Sequence, residues 1–183
     1  MMNRINDSEI IIATKNQGKF IEIKNLLKKI NLKAISLNEL IDVPPLIEDG
    51  QTFKENALYK ARTISKMFDV GVLADDSGLE VEFLDGLPGV KSARFAGENA
   101  DDMKNNQKLI SLLEDIPLDD RRARFKCVIA LVYNSGEYTT EGICDGYIAL
   151  EPKGNKGFGY DPLFWVPEYN MTFGEMGPNI KNS

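Results

Sequence analysis

Two adjacent carboxylates, Asp75 and Asp76, follow the short apolar segment from Gly71 to Ala74 and precede Ser77 and Gly78. The apolar run predicts a strand that ends where the carboxylates begin. Neighbouring acids at a strand end are unfavourable unless a cation compensates them, and Mg²⁺ does so because it binds one or two carboxylates together with phosphate oxygens. A turn whose aspartates accept hydrogen bonds from backbone amides explains the same residues equally well. Both interpretations stay open at this point.

A second candidate loop lies between a predicted strand, Glu9 to Ala13, and a predicted helix that begins near Phe20. In open α/β sheets, ligands bind where a strand leads into a helix, and helix N-termini favour phosphate. Thr14 and Asn16 supply polar side chains in this loop, and Lys19 supplies a cation for phosphate. The spacing is not that of a Walker loop, so an ordinary surface loop is the alternative.

A third candidate loop is rich in glycine and contains Phe158, Gly159, Tyr160 and Asp161. The glycines on both sides of Phe158 permit a close approach of backbone to a ligand. Aromatic residues beside an acid can stack on a base and bind its edge. A tight turn around a buried aromatic side chain is the alternative interpretation.

Glu48 and Lys60 are weaker candidates. Glu48 precedes a helix that the capping box from Thr52 to Glu55 predicts, and it could be a second metal ligand. A solvated loop acid is the simpler explanation for Glu48. Lys60 lies within the predicted helix, where an exposed lysine without function is the ordinary expectation.

The chain of 183 residues contains no histidine and has a formal net charge of −6. The absence of histidine excludes a Ser-His-Asp triad and His-ligated zinc, so acid–base chemistry must come from Asp, Glu, Lys, Tyr or metal-bound water. The negative charge argues against a nucleic acid polymer as partner. Cys127 and Cys144 form no C-x-x-C motif, and we expect two buried thiols rather than a disulfide.

The hydropathy pattern gives no indication of a membrane segment. No apolar run approaches the ~20 residues that span a bilayer, and the first residues lack the apolar core of a signal peptide. We therefore expect a cytoplasmic protein without a membrane partner.

The remaining patterns predict an α/β fold in which helices pack on one mixed sheet. Two early helices are predicted to bury Phe20, Ile23, Leu26, Leu27 and Ile30, and Phe53, Ala57, Ala61, Ile64 and Phe68, respectively. A later helix, which Asn99 or Asp101 could cap and which ends near Glu114, is predicted to bury Leu109, Leu112 and Leu113. Asn134-Ser135-Gly136 is predicted to close a hairpin of strands at Phe125 to Tyr133 and Glu137 to Ile143, and a last strand is predicted from Pro162 to Val166.

Five ordered segments, residues 13–19, 50–57, 74–79, 88–97 and 157–162, resemble the inosine/xanthosine triphosphate pyrophosphatase family. The likeness covers nearly the whole chain. It implies an elongated mixed β-sheet flanked by helices, with two lobes and a central cleft, within a single nucleotide pyrophosphatase domain over residues 1–183. It also implies a homodimer that uses Mg²⁺ to convert a nucleoside triphosphate substrate, ITP, dITP or XTP, into the monophosphate and pyrophosphate.

The resemblance assigns roles to individual residues by matching position. Asp76 and Lys19 would be catalytic, and Asp76 would also accept a proton. The phosphates would be held by Thr14, Asn16, Lys19 and Lys60, and Mg²⁺ by Glu48 and Asp76. Ser77 would contact substrate, and the base pocket would comprise Phe158, Gly159, Tyr160, Asp161 and Lys181.

Members of the family continue after the region of Lys181 with Ser-His-Arg, whose His and Arg contact the base, whereas this sequence ends at Ser183. We therefore expect a missing C-terminal segment, with complete phosphate and metal parts and fewer base contacts. The alternatives are a pyrophosphatase of pyrimidine or other modified nucleotides, and a nucleotide-binding form with weak or no turnover. A purely structural domain would not explain why acids, lysines and glycines fall at consecutive strand ends.

Overall fold

The computed structural model describes residues 8–68 and 70–181, which form a mixed seven-stranded sheet with flanking helices. The strand order is β2-β1-β3-β4-β5-β6-β7. The strands are β1 Glu9–Ile12, β2 Lys33–Ser36, β3 Gly71–Val81, β4 Arg122–Tyr133, β5 Gly136–Ile148, β6 Phe164–Val166 and β7 Met171–Thr172. The helices are α1 Gln17–Lys28, α2 Phe53–Ser65, α3 Asp102–Leu113 and α4 Pro178–Lys181. The predicted α/β class with one mixed sheet is confirmed.

The chain divides into two compact units. Unit 1 comprises Met1–Asp76 and Cys127–Glu141, and unit 2 comprises Ser77–Lys126 and Gly142–Ser183. The boundaries fall inside β3, β4 and β5, so each of these strands contributes residues to both units. That the two units act as one nucleotide pyrophosphatase domain stays a prediction.

Unit 1 begins with parallel pairing of β1 to both β2 and β3. Crossovers between parallel strands are right-handed, and the β1-to-β2 and β2-to-β3 connections run in opposite directions along the sheet. Helices α1 and α2 therefore cover opposite faces. On the α1 face, Ile10 and Ile12 form a buried cluster with Phe20 and Leu27, and Leu73 packs against it.

Helix α1 and the turn that follows it bury fewer of the predicted residues than expected. Leu26 is 45% exposed and Ile30 is 64% exposed. Ile30 lies beyond the end of α1, and Leu26 projects away from the face that contains Phe20 and Leu27. In α2, by contrast, the predicted Phe53, Ala57, Ala61 and Ile64 are all buried. The predicted Phe68 lies beyond the end of α2 and is half-buried.

Unit 2 has its own core, in which Leu79 and Val81 of β3 cluster with Leu109 and Leu113 of α3. Of the two predicted N-cap candidates, Asn99 and Asp101, the N-cap of α3 is Asp101, whose side chain accepts a hydrogen bond from the Lys104 amide. Leu112 is 44% exposed, so its predicted burial is wrong. Leu109 and Leu113 lie about 60° and about 100° around the helix from Leu112, both to the same side, so Leu112 falls at the edge of the core face of α3.

Strand β3 differs most from its prediction, because it continues without a break through Asp75-Asp76-Ser77-Gly78. The expected strand end at Asp75 is wrong. The predicted hairpin between β4 and β5 is present, with Asn134 and Ser135 at φ 46° and 63° as a tight hairpin turn requires. Within the described ranges, every helix falls short of the length and apolarity that crossing a bilayer requires.

Candidate active site

The two carboxylates in the middle of β3 have different partners. Asp75 Oδ2 lies 2.7 Å from Lys19 Nζ at the start of α1. Asp76 Oδ2 accepts a hydrogen bond of 3.0 Å from Asn56 Nδ2, and Asp76 Oδ1 lies 3.5 Å from Lys60 Nζ. Only 3% of Asp75 and 6% of Asp76 is exposed. Each acid is thus buried and compensated by a lysine, which is why the strand continues through both.

The alternation of side chains along a strand explains this division. Asp75 shares its face with Leu73, which packs in the cluster under α1. Asp76 points to the opposite face, where α2 supplies Asn56 and Lys60. The two acids are adjacent in sequence but do not share a direction, so their mutual repulsion is smaller than the sequence suggests.

Lys60 is 3% exposed, so the ordinary expectation of a surface lysine is wrong. Its ammonium group lies 2.5 Å from Glu48 Oε1 and 3.5 Å from Asp76 Oδ1. The predicted capping box at Thr52 and Glu55 is present and defines where α2 begins. The structure therefore brings the predicted Glu48, Lys60 and Asp76 together in unit 1.

Asn56 is a site residue that the sequence analysis missed. Its Oδ1 accepts a hydrogen bond of 2.8 Å from the Gly50 amide, while its Nδ2 donates to Asp76. Asn56 therefore links the segment that contains Glu48 to the strand that contains Asp76. The sequence did contain one indication of this role, because Asn56 is a polar residue on the face of the predicted helix that also carries the apolar Phe53 and Ala57.

The Thr14 to Lys19 loop is built around the first turn of α1. Asn16 is the N-cap, and its Oδ1 accepts a hydrogen bond of 3.1 Å from the Lys19 amide. Thr14 Oγ1 accepts one of 3.3 Å from the Asn16 amide. The predicted trio thus lies at a helix N-terminus, which is a favourable place for phosphate.

Burial shifts the protonation equilibria of this group. Burial raises the pKa of the Asp76 carboxyl above its ordinary value, although the charge of Lys60 and the hydrogen bond from Asn56 oppose the shift. Burial lowers the pKa of Lys19, but the Asp75 carboxylate outweighs this and leaves the pKa raised. An aspartate with a raised pKa is better matched to accepting a proton near neutral pH than an ordinary one.

Cys127 in β4 belongs to the same electrostatic environment. Burial raises the pKa of its thiol to about 11, and Asp75 contributes to the same shift. Cys127 and Cys144 are both free, as expected, and do not form the alternative disulfide, but both are half-buried rather than buried. A neutral thiol beside Asp75 adds no charge to the group.

The donor set in unit 1 fits a magnesium ion. Among residues 8–68 and 70–181, no cluster of three or more acids, cysteines or histidines is arranged as a metal cage. Glu48 and Asp76 nevertheless direct one carboxylate oxygen each at the same ammonium group. Mg²⁺ usually binds through one or two carboxylates and completes its shell with water and substrate phosphate, so this pair suffices.

In unit 2, Asp161 organises the glycine-rich loop. Its Oδ2 accepts hydrogen bonds of 2.9 Å from the Phe158 amide and 2.7 Å from Lys181 Nζ. A Cβ atom on Gly157, at φ +77°, would lie 1.8 Å from the same oxygen, so the loop requires glycine there. Burial raises the pKa of Asp161, and the charge of Lys181 opposes this shift.

The aromatic residues of the loop have distinct surroundings. Lys181 Nζ lies 4.8 Å from the centre of the Phe158 ring. Tyr160 is 4% exposed and donates a hydrogen bond of 2.9 Å to the Ser92 carbonyl. The structure thus brings the predicted Phe158, Tyr160, Asp161 and Lys181 together, and it places Ser77 half-buried in β3.

Comparison with known proteins gives the family. The model of the Ham1 family matches residues 10–183. The chain belongs to the Ham1 family. It is 51% identical over 176 residues to the dITP/XTP pyrophosphatase of Desulforamulus reducens, covering 96% of this chain and 88% of that protein. It is 49% identical over 183 residues to the dITP/XTP pyrophosphatase of Clostridium perfringens, covering 96% and 89%.

Solved structures show the same Ham1 fold. The Staphylococcus aureus Ham1 protein is similar with a TM-score of 0.84 and 40% identity, covering 96% of this chain and 90% of that one. A Ham1 protein from Coxiella burnetii is similar with a TM-score of 0.85 and 44% identity, covering 95% and 89%. The family that the five segments resembled is thereby confirmed.

Proposed function

We propose that this chain hydrolyses non-standard purine nucleoside triphosphates, namely ITP, dITP and XTP, to the monophosphate and pyrophosphate, and so cleanses the nucleotide pool. The observation that supports this proposal most directly is the charged group in unit 1, where Lys19 pairs with Asp75, and Lys60 pairs with Asp76 and Glu48. Relatives that are 51% and 49% identical to this chain are named dITP/XTP pyrophosphatases.

The lysines of unit 1 are proposed to hold the phosphates. Lys19 lies in the first turn of α1, where its ammonium group and the helix amides together favour an anion. Thr14 and Asn16 shape the same turn and add polar groups. Lys60 is a second buried cation, and both lysines would offset the negative charge that develops on the departing pyrophosphate.

Glu48 and Asp76 are the proposed ligands of Mg²⁺. When bound, the ion supplies positive charge that stabilises phosphate oxygens and makes the phosphorus more electrophilic. Asp76 is also the proposed proton acceptor, because burial raises its pKa towards the working range. In the proposed step, a water oxygen bonds to the α-phosphorus, the bond from that phosphorus to the bridging oxygen breaks, and the water proton passes to Asp76.

The loop of unit 2 is proposed to recognise the base. Phe158 supplies a face for stacking, and Gly159 and Tyr160 supply backbone groups. Lys181 is a hydrogen-bond donor suited to the 6-oxo group, which adenine lacks. Asp161 orients Lys181 through their contact of 2.7 Å. Ser77 is proposed to contact substrate from β3.

We also propose that the protein is a cytoplasmic homodimer, as the family resemblance implies. Size-exclusion chromatography with light scattering, over a range of protein concentrations, measures the mass directly. A monomer at micromolar concentration would contradict the proposed dimer without affecting the proposed chemistry.

The decisive experiment is incubation with ITP, XTP, GTP, ATP and the pyrimidine triphosphates in the presence of Mg²⁺, with separate detection of pyrophosphate and orthophosphate. We expect pyrophosphate from ITP and XTP at rates well above those for ATP. Orthophosphate as the product would exclude attack at the α-phosphorus. Faster turnover of pyrimidine triphosphates would indicate a different substrate class, and tight binding without product would indicate a non-catalytic nucleotide-binding form.

The proposed base is tested by Asp76→Asn, which preserves the shape of the side chain. We expect pyrophosphate release to fall by about 10²-fold or more, the range that a general base contributes. Asp85→Asn, at a turn residue of unit 2, is the control and should retain the wild-type rate. Full activity of Asp76→Asn would remove the assignment of Asp76.

A further inference from the structure

The first two turns of α3 bind the glycine-rich loop of unit 2 through the peptide group on each side of Gly159. Asp102 Oδ2 accepts a hydrogen bond of 2.7 Å from the Gly159 amide. Asn106 Nδ2 donates one of 3.1 Å to the Gly159 carbonyl. Asp102 and Asn106 are four residues apart, so they lie on the same side of the helix. Both polar backbone groups of Gly159 are therefore bound by side chains of a neighbouring element.

These two hydrogen bonds matter because Gly159 is the most conformationally free residue of the segment from Phe158 to Asp161. Its φ of +62° is a conformation that the backbone adopts freely only at glycine. Its neighbours are fixed in other ways, because the Phe158 amide donates to Asp161 and the Tyr160 hydroxyl donates to the Ser92 carbonyl. The hydrogen bonds from α3 thus set the orientation of the two peptide groups between Phe158 and Tyr160.

Helix α3 is itself firmly placed. Leu109 and Leu113 are fully buried in the core of unit 2. Asn105 Oδ1 accepts a hydrogen bond of 2.8 Å from the Ala96 amide, and its Nδ2 donates one of 3.1 Å to the Ala93 carbonyl. A side chain that projects from such a helix is held more precisely than one on a loop.

The orientation of the Asn106 amide follows from its partner. The Gly159 carbonyl accepts hydrogen bonds, so Nδ2 must face it and Oδ1 must point elsewhere. That oxygen is buried without a hydrogen-bond partner in the described structure. An unpartnered buried acceptor is unfavourable, so packing alone does not explain an asparagine here. The bond to Gly159 supplies the reason.

We propose that Asp102 and Asn106 are positioning residues for base recognition, which act by fixing the Gly159 peptide groups in the loop from Phe158 to Asp161. The proposal rests on the proposed function of that loop. Neither residue is assigned contact with the substrate. Their loss should therefore weaken discrimination between bases more than it affects phosphate chemistry.

The test compares Asp102→Ala and Asn106→Ala with Asp101→Ala. Asp101 lies next to Asp102 but caps the helix by accepting a 2.8 Å hydrogen bond from the Lys104 amide. Its loss should lower the melting temperature without touching Gly159. We expect Asp102→Ala and Asn106→Ala to reduce the ratio of kcat/KM for ITP over ATP by about tenfold, mainly through the KM for ITP. Asp101→Ala should leave that ratio unchanged.

Two further measurements separate positioning from general damage. Asp102→Asn keeps an acceptor oxygen and should recover much of the lost selectivity. Hydrogen exchange at the Gly159 amide should accelerate in Asp102→Ala and stay slow in Asp101→Ala, since only the former loses the acceptor. Unchanged selectivity in both Asp102→Ala and Asn106→Ala would overturn the proposal, whatever the exchange rates.

The selectivity of the wild-type chain shows separately whether the proposed function is wrong. A wild-type chain that does not prefer ITP to ATP overturns the function of the loop, and the positioning role falls with it before any variant is compared. A wild-type preference that survives in both variants overturns the positioning role alone.

Discussion

At the scale of single residues, the ammonium group of Lys60 links two carboxylates of the candidate site, those of Glu48 and Asp76. The ammonium group is buried and lies within 3.5 Å of one oxygen of each carboxylate. A buried cation that compensates two acids differs from an exposed ion pair, which is worth little because water and salt screen it. Removing it leaves buried charge without compensation.

We expect Lys60→Met to lower the free energy of unfolding by about 3 kcal/mol at pH 7 in metal-free buffer, because Asp76 and Glu48 lose their cation. The loss should shrink as the pH falls, since protonation removes the uncompensated negative charges. Lys54→Met replaces an exposed lysine of the same helix and should cost no more than about 0.5 kcal/mol. Urea unfolding across pH 4 to 8 checks both, and equal costs would contradict the role of Lys60.

The thiol of Cys127 gives a pH-dependent prediction. Its pKa is raised to about 11 by burial, so at pH 8 only about one thiol in 10³ is ionised and able to react. We expect alkylation of Cys127 in a Cys144→Ser variant to be slow at pH 8 and to accelerate about tenfold per pH unit up to the raised pKa. In the urea-unfolded chain, Cys127 should react at the rate of an exposed cysteine with an unperturbed pKa. Rapid alkylation of the folded chain at pH 8 would contradict a neutral Cys127 thiol with a raised pKa.

At the scale of elements, the glycine-rich loop is stabilised by a contact that permits no side chain at Gly157. A Cβ there would lie 1.8 Å from Asp161 Oδ2, whereas a Cβ on Gly159 would meet nothing within 4 Å. Both glycines have positive φ, +77° and +62°, so alanine is strained at either position. Comparing alanine substitutions at the two positions therefore separates the cost of backbone strain, which both share, from the cost of displacing Asp161, which only Gly157→Ala has.

We expect Gly159→Ala to reduce the free energy of unfolding by about 1 kcal/mol, which is the cost of the left-handed conformation. Gly157→Ala should cost at least about 1 kcal/mol more, because Asp161 must leave the Phe158 amide and Lys181. Chemical denaturation of the two variants measures the difference directly. Equal losses would show that the position of Asp161 does not depend on Gly157.

Elements with local signals were predictable from the sequence. The capping box at Thr52, the N-cap at Asp101 and the hairpin turn at Asn134 are each specified within a few residues, and all three are present. The break in β3 was predicted wrongly, because the compensation of Asp75 comes from Lys19, which is distant in sequence.

The same limit applies to the site. The family resemblance gave Lys60 its expected role, but the contacts of Lys60 and Asn56 with Asp76 depend on the packing of α2 against β3, which no local pattern predicts. The bonds from α3 to Gly159 had no sequence signal, since Asp102 and Asn106 are ordinary residues for a helix surface. Residue types and local patterns thus indicated which groups could react, and packing decided which of them meet.

At the scale of the whole molecule, charge separates small anions from polymeric ones. The chain contains 28 acidic and 22 basic residues, a formal net charge of −6. Lys19 and Lys60 are largely buried, so their charges can serve a small ligand without making a basic surface. A phosphate polymer, by contrast, needs an extended row of exposed cations.

We expect no measurable binding of duplex DNA at physiological salt, even when the duplex contains deoxyinosine, because the net charge repels the phosphate backbone. Fluorescence anisotropy with labelled duplexes, up to about 100 μM protein, checks this at the weak end of non-specific affinity. Saturable binding of the deoxyinosine duplex alone would contradict the assignment of free nucleotides as substrates.

The alternation of Asp75 and Asp76 across the two faces of β3 makes the length of this strand as important as its composition. One residue inserted between Val72 and Asp75 would rotate both acids to the opposite face, so that Asp75 would face α2 and Asp76 would face α1. All of the side chains would still be present, but Asp75 would no longer contact Lys19, and Asp76 would no longer contact Lys60 and Asn56. We expect such an insertion to abolish pyrophosphate release, whereas an insertion at the exposed turn between Asn134 and Gly136 should be tolerated. Among natural variants of this chain, changes of length should accordingly collect in turns and avoid the strand that holds both acids.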